Sequence, residues 1–422
     1  MHLRILANKV YKHKGFVYEN EQWSTDESQV EMLVRPRKGS RPVCSRCGGS
    51  GSTYDTLKPR RFQMIPVWGI AVVLLYAMRR VDCKACQAVC VERVPWSVSA
   101  KSHLTTAFAH HLAGWARFLS WKEVSKRCGT TWESVAQSVE WLVKWGLEHR
   151  SLDGIKAIGV DEIQTDKGHH YSTLVYQIDQ GCKRLLWIGK ERTKSTFEGF
   201  FDMLGKDRAQ SIQVVCSDMW KAYLTVIAER IPQALNVLDR FHIVGKLNEA
   251  VDATRRDEVR RLAEQGKEPA LKKTRWIWLK RWENLKESQY TKLSELLQVN
   301  LRTVKAYLIK ESFDQLWTYT RPAWAKKFLD NWCKEAMRHR SLPRIKTFVG
   351  TVRKHRELIL NYFEAKTSLK QTFSSGVIEG FNNKAKLSIR KSYGFRSQKY
   401  REMPLFHALG ALPEPKATHR FG

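Results

Sequence analysis

Three acidic residues have settings in which a carboxylate could do chemistry. Asp161 follows the apolar run Ile155–Val160. On strand alternation it shares a face with Ala157 and Gly159, opposite Ile158 and Val160. A carboxylate there is costly unless it is paired, hydrogen-bonded or metal-bound; otherwise it is a turn residue after a strand. Asp218 closes the run Ile212-Gln-Val-Val-Cys-Ser and opens Met-Trp-Lys-Ala-Tyr, where it could equally cap a helix. Glu379 sits in Ser-Ser-Gly-Val-Ile-Glu-Gly-Phe-Asn-Asn-Lys-Ala-Lys-Leu. On a helix Ile378, Phe381, Ala385 and Ile389 form a packing stripe, while Glu379, Asn383, Lys386 and Arg390 form another. An acid among cations is commonly a solvated ion-pairing face. Residues 384–401, however, hold seven Lys or Arg and no acid, including Lys384, Lys386, Arg390, Lys391 and Arg396. That composition suits phosphate. Taken together, two strand-end Asp and a late helical Glu can converge on two divalent cations. Two such ions clamp the attacking and leaving oxygens of an in-line phosphoryl displacement, and Mg²⁺ prefers oxygen ligands.

Cysteines supply a second constellation. Cys44-Ser-Arg-Cys47 and Cys83-Lys-Ala-Cys86 are two C-x₂-C pairs separated by 35 residues. Two pairs suit one tetrahedral, structural Zn²⁺, and the neighbouring Arg41, Arg46, Arg79, Arg80 and Lys84 suit a DNA-facing knuckle. Cys90 is close enough to replace a ligand; unmetallated core cysteines are the alternative. Cys128, Cys182, Cys216 and Cys333 are dispersed.

These residues need elements to hold them, and the chain has five textures. Residues 1–98 combine the clustered cysteines with strand-like runs. Residues 99–150 are helical. Within them Trp121 to Val135 reads as helix, Gly129 turn and helix, with Thr130 or Thr131 as cap and Thr131, Trp132, Ser134 and Gln137 as candidate DNA contacts. An ordinary helical hairpin has the same pattern. Residues 151–244 are α/β, with strands expected at Lys156–Gln164, Tyr171–Ile178, Arg184–Gly189, Ile212–Ser217 and Leu235–Leu238 and a helix near Ser195–Leu204. Residues 245–370 are helical and basic; most of Trp276, Trp278, Trp282, Trp317, Trp324 and Trp332 are expected in the core. Residues 371–422 carry a last helix near Val377–Lys391 and a tail.

Charge points to the partner. Lys and Arg number 73 against 42 Asp and Glu, for a net +31, and cations contacting phosphates supply sequence-independent affinity for nucleic acid. Sixteen Trp and seventeen Phe argue against disorder. No signal peptide is visible in Met1–Val10, and Ile70–Met78 is too short to span a bilayer. A cytoplasmic protein with reduced thiols is expected.

Gly-Val-Asp-Glu at 159–162, Ser-Asp-Met-Trp-Lys-Ala-Tyr at 217–223, Asp-Arg-Phe-His-Ile-Val at 239–244 and Ser-Gly-Val-Ile-Glu-Gly-Phe-Asn-Asn-Lys-Ala-Lys at 375–386 resemble DDE transposases of the ISL-three type of bacterial insertion sequence. Tyr-Gly-Phe-Arg at 393–396 and Leu-Phe-His-Ala-Leu-Gly at 405–410 are similar too. The resemblance spans nearly the whole chain. It implies an α/β ribonuclease-H-like catalytic domain with a large helical insertion, preceded by zinc-finger-like and helix-turn-helix modules. It implies Asp161, Asp218 and Glu379 as ligands of two Mg²⁺ or Mn²⁺ ions, with Asp239 and His242 in support; strand alternation puts Glu162 on the other face, away from the ions. The partners implied are double-stranded DNA, as terminal inverted repeats and target, and further copies of the chain in a homodimer or larger assembly. A DNA-binding regulator or inactive copy needs only the N-terminal modules; a ribonuclease-H-like repair nuclease would not need them.

Overall fold

The structure, a computed structural model, describes residues 3–99, 101–164, 171–267, 270–299, 301–368, 375–391 and 398–416. Its chain divides into two units, Met1–Ser151 with Lys384–Gly422, and Leu152–Asn383.

In the first unit, helix α1 (Leu3–Val10) precedes strands β1 (Phe16–Trp23), β2 (Gln29–Pro36), β3 (Ser52–Gln63), β4 (Ala71–Cys83) and β5 (Ala88–Val91). The sheet order is β1-β2-β4-β3, and β5 pairs with the end of β4. The two-residue period of a strand sends Val72, Leu74, Tyr76 and Met78 into one core with Trp96. Phe16 and Tyr76 meet the Trp96 ring edge-on at 4.8 and 5.2 Å.

Helices α2 (Thr106–Ala116), α3 (Trp121–Arg127) and α4 (Trp132–His149) follow. Ser120 and Glu123 close a capping box on α3. Gly129 turns the chain at φ +59, a conformation a side chain disfavours. Thr131 then caps α4 by accepting from the Ser134 amide. Gln63 of β3 braces this turn by accepting from the Thr130 hydroxyl at 3.0 Å. From the C-terminal segment, Phe406 and Leu412 pack onto the core of these helices.

In the second unit, strands β6 (Ala157–Gln164), β7 (Tyr171–Asp179), β8 (Cys182–Lys190), β9 (Val214–Ser217) and β10 (Leu235–Leu238) lie in the order β10-β9-β6-β7-β8. β6, β7 and β8 are antiparallel neighbours, whereas β9 and β10 run parallel to β6. Ile158, Val160, Val175 and Val215 face a core filled by Phe197 and Phe200 of α5 (Lys194–Leu204) and by Tyr223 and Val226 of a helix at Lys221–Arg230. A short α6 (Lys206–Gln210) leads into β9, so the helix at Lys221–Arg230 is α7.

The basic region is helical, as its composition predicts. It comprises α8 (Arg240–Glu264), α9 (Arg275–Leu279), α10 (Glu287–Leu297), α11 (Arg302–Asp314), α12 (Pro322–Arg338), α13 (Pro343–Lys354) and α14 (Arg356–Ser368). These helices share one core, which also takes in Leu238 of β10. Trp278, Trp317 and Trp332 lie in it, but Trp276, Trp282 and Trp324 are exposed. The expectation that most of the six are core is therefore corrected to half. Cations account for two of the exposed rings: Arg275 lies over Trp276 at 5.1 Å and Lys327 over Trp324 at 5.6 Å. The last helix introduced, α15 (Ser375–Lys391), begins in this unit. Among the described residues no helix is long and apolar enough to cross a membrane.

Candidate active site

Strand register brings three aspartates level. β6 and β9 pair Ala157 with Val214, Ile158 with Val215 and Gly159 with Cys216. Two residues further along each strand stand Asp161 and Asp218. β10 and β9 pair Leu238 with Ser217, so the next residues are Asp239 and Asp218. All three acids thus lie at the C-terminal ends of parallel pairing on adjacent strands, each step about 4.8 Å across. The apolar run stops at Val160, but β6 continues to Gln164, the end expected for this strand, paired there with β7.

Asp161 lies on the sheet face that receives α15. A Cβ on Gly159 would stand 2.5 Å from Cδ1 of Ile378, so only glycine lets this helix settle so closely. Phe381 stacks on Tyr176 at 4.9 Å between centroids. One helical step on, buried Asn382 donates through Nδ2 to Asp161 Oδ2 at 2.6 Å. The Glu162 amide donates to Asp161 Oδ1 at 2.8 Å. Burial pushes the Asp161 carboxyl upward and the Asp218 charge adds to this, against the pull of the Glu162 amide, His242 and Asn382.

Asp218 and Glu162 share one cation. Arg192 reaches Asp218 Oδ2 and Glu162 Oε1, each at 2.8 Å, and lies over the Trp220 ring at 4.6 Å. The other Asp218 oxygen accepts from the Trp220 amide at 2.8 Å. Glu162 does fall on the face opposite Asp161, yet through Arg192 it joins the acid group. Burial first, then the Asp218 charge, pushes Glu162 up to about 7. Asp239 caps α8 by accepting from the Phe241 amide at 2.7 Å. His242, one turn into α8, has Nε2 3.9 Å from Asp161 Oδ1 and 4.0 Å from Asp239 Oδ2.

Glu379 is exposed on α15, one turn before Asn382. Among the described residues the carboxylates do not form a set whose ligand atoms all lie within 4.8 Å of one another. Sequence reasoning passed over Asn382 and Arg192. The helical stripe of Glu379 takes in Asn383 and not its neighbour, and nothing in a lone arginine marks which acids it will meet.

The four cysteines do form such a set: Cys44, Cys47, Cys83 and Cys86 have sulfurs within 4.8 Å of one another. Cys44 and Cys86 are 4.0 Å apart, Cys47 and Cys83 3.5 Å. A tetrahedron with 2.3 Å metal–sulfur bonds has edges of about 3.8 Å. β4 ends at Cys83, and the turn to β5 supplies Cys86. The amides of Cys47 and Arg46 draw the Cys44 thiol down to about 6, whereas hydrogen bonds with Cys47 and Cys83 push Cys86 up to about 12. Cys90 is buried beside Cys44 and Cys83 but outside the four.

Of the candidate DNA contacts, Thr131, Trp132 and Gln137 are exposed at the start of α4, and Ser134 is half-buried. Lys384, Lys386 and Arg390 are exposed on α15, whereas Lys391 donates to the Phe118 carbonyl at 3.2 Å. Arg396 lies outside the described residues.

The four-cysteine module, the net charge of +31 and the group of acids on adjacent parallel strands fit a protein that works on nucleic acid. Comparison with known proteins agrees. A family model described as transposase, of the ISL-three DDE type, matches residues 158–403. The chain is 28% identical over 391 residues to the transposase of insertion sequence element IS1001 from Bordetella parapertussis, covering 92% of this chain and 93% of that one. It is 31% identical over 398 residues to the transposase of IS1557 from Mycobacterium tuberculosis, covering 88% and 86%. The chain belongs to this transposase family, whose members cut and join DNA.

Proposed function

We propose that this chain binds the terminal inverted repeats of an insertion sequence, cuts a strand at each end and joins the freed ends to target DNA. In the first displacement a water oxygen attacks the phosphorus at the element end and the 3′-oxygen leaves. In the second, the freed 3′-hydroxyl attacks a target phosphorus and a target 3′-oxygen leaves. No covalent link to the protein is required.

The observation that carries this reading is the row of Asp161, Asp218 and Asp239 on adjacent parallel strands, with α15 docked on the Asp161 face. The strand order, with the first three strands antiparallel and two parallel strands beyond the first, fits a ribonuclease-H-like sheet. Asp161 and Glu162, pushed up by burial first and then by neighbouring negative charge, fit a site for hard cations, because all their donors are oxygens. Asp161, Asp218 and Glu379 would hold two Mg²⁺ or Mn²⁺ ions, which when bound polarise the attacking and leaving oxygens. For Asp218 to serve, Arg192 must yield Oδ2. Asp239 orients the start of α8, and His242 stands between Asp239 and Asp161, placed to orient either carboxylate or meet a phosphate.

The remaining parts fit recognition. α3 and α4 read as a helix-turn-helix, with Thr131, Trp132, Ser134 and Gln137 toward bases. Lys384, Lys386, Arg390, Lys391 and Arg396 would contact backbone phosphates. The four cysteines would hold a structural Zn²⁺. Two ends must be joined, which calls for a dimer or larger assembly.

A strand-cleavage assay on duplexes carrying the element's own ends tests the reading. Mg²⁺-dependent nicking at the end is the expected result. Binding of the ends with no cleavage in Mg²⁺ or Mn²⁺ would make this chain a DNA-binding regulator or an inactive copy.

A further inference from the structure

The Asn382 side chain hydrogen-bonds the helix carrying Glu379 to the strand carrying Asp161. Its amide is buried, 7% exposed, and both ends are engaged. Nδ2 donates to Asp161 Oδ2 at 2.6 Å, and the Tyr176 hydroxyl donates to Oδ1 at 2.8 Å. Chemistry decides which way round the amide sits. A reversed amide would set its carbonyl oxygen against a carboxylate oxygen at hydrogen-bond distance, two acceptors with no proton between them. Tyr176, whose phenol burial keeps protonated, then donates to the oxygen left facing it.

We infer that Asn382, held by Tyr176, is a positioning residue that sets the orientation of the Asp161 carboxylate and, through the same bond, the distance of Glu379 from it. With the Glu162 amide on Oδ1 and Asn382 on Oδ2, the Asp161 carboxylate is fixed at both oxygens. Hydrogen bonds to a charged acceptor are stronger than neutral ones. The bond also works on the helix. Ile378 against Gly159 and Phe381 against Tyr176 set α15 onto the sheet by packing, which resists approach but tolerates sliding. A directional hydrogen bond fixes its register along β6. Glu379 lies one turn from Asn382, so its position follows from that register. The role differs from that of a ligand: Asn382 acts through Asp161 and Glu379. The inference rests on the proposed metal-binding role of those acids.

The test is Mn²⁺ binding by the full chain without DNA, read by electron paramagnetic resonance, together with the Mg²⁺ concentration needed for half-maximal cleavage. Asn382→Ala is compared with Tyr176→Phe, Asp161→Ala and wild type, with unfolding midpoint and end binding as controls. Loss of an outer partner of a metal ligand weakens metal binding by roughly 10–100-fold. Asn382→Ala should show a shift in that range in both readings, with end binding retained. Tyr176→Phe, which removes one hydroxyl and keeps the ring stacked on Phe381, should shift both in the same direction by less, and it serves alone if Asn382→Ala fails to fold. A lowered unfolding midpoint with unchanged metal affinity in both variants would overturn the inference and leave Asn382 a packing residue. If Asp161→Ala loses Mn²⁺ binding while Asn382→Ala and Tyr176→Phe keep it, the inference alone fails. If Asp161→Ala binds Mn²⁺ like wild type, the metal-site reading beneath it fails as well.

Discussion

Asp161 and Asp218 stand level on neighbouring parallel strands, because β6 and β9 pair Gly159 with Cys216 two residues earlier. The relation comes from backbone register, not from any contact between the two side chains. It therefore holds whichever cation stands between them. Arg192 occupies part of that role here, bridging Asp218 to Glu162.

Replacing Arg192 should expose this. Arg192→Gln leaves Glu162 and Asp218 facing each other without the guanidinium, and like charges that close disfavour the folded state. The unfolding midpoint without divalent metal should fall. Adding Mn²⁺ should recover more of it than the same addition gives wild type, because the metal no longer competes with an internal cation. An equal Mn²⁺ effect in both proteins would show that Arg192 and the metal do not share Asp218.

Gly159 tests the seating of α15. Gly159→Ala places a methyl group 2.5 Å from Cδ1 and 2.9 Å from Cγ1 of buried Ile378. Overpacking of this kind costs about 1–3 kcal/mol, measurable by urea unfolding. Ile378→Val in the same chain removes the terminal methyl and should recover part of the loss, a non-additivity expected only of residues in contact.

Much of this layout was readable from residue patterns. Each strand of the second sheet carries a short apolar run closed by polar residues, and β10 falls at Leu235–Leu238 as expected. The first strand, expected at Lys156–Gln164, is β6 at Ala157–Gln164, although the pattern does not show that β7 is the neighbour that pairs with its far end. Nor could the pattern show Asn382 or Arg192, whose importance comes from what tertiary packing sets opposite them. Trp276, Trp282 and Trp324 are exposed, and helical spacing alone does not show whether a neighbouring helix covers a tryptophan. The two C-x₂-C pairs were legible because their spacing alone restricts the geometry.

Zinc content tests the cysteine module. Wild-type protein purified without chelator should carry close to one zinc per chain by mass spectrometry. Cys47→Ser or Cys83→Ser should lose it and unfold the first unit at a lower temperature, since structural zinc is coupled to folding. Cys90→Ser should keep its zinc, because its sulfur lies outside the group of four.

Acid should weaken the first unit through two histidines. His407 is buried and His13 half-buried, and Nε2 of each lacks a hydrogen-bond partner among the described residues. Burial lowers His407 to about 3 and His13 to about 4. A depressed histidine binds its proton more readily when unfolded, so its cost is absent above the unfolded value near 6.5 and grows as pH falls below it. By pH 5 each should cost roughly 2 kcal/mol, from the linkage between pKa and stability. Urea midpoints at pH 7.5 and pH 5 check this. His407→Phe should flatten the difference; an unchanged difference would show that His407 is not desolvated.

One comparison of DNA strand cleavage tests the roles of the four acids most directly. Wild type, Asp161→Ala, Asp218→Ala, Glu379→Ala and Asp239→Ala would be assayed on the element's own ends in Mg²⁺, with end binding measured alongside. Binding retained in all five proteins, with cleavage abolished in the first three variants and only reduced in Asp239→Ala, is the predicted result. Cleavage that survives Asp218→Ala and is lost in Asp239→Ala would contradict the assignment and move the second metal ligand from β9 to β10.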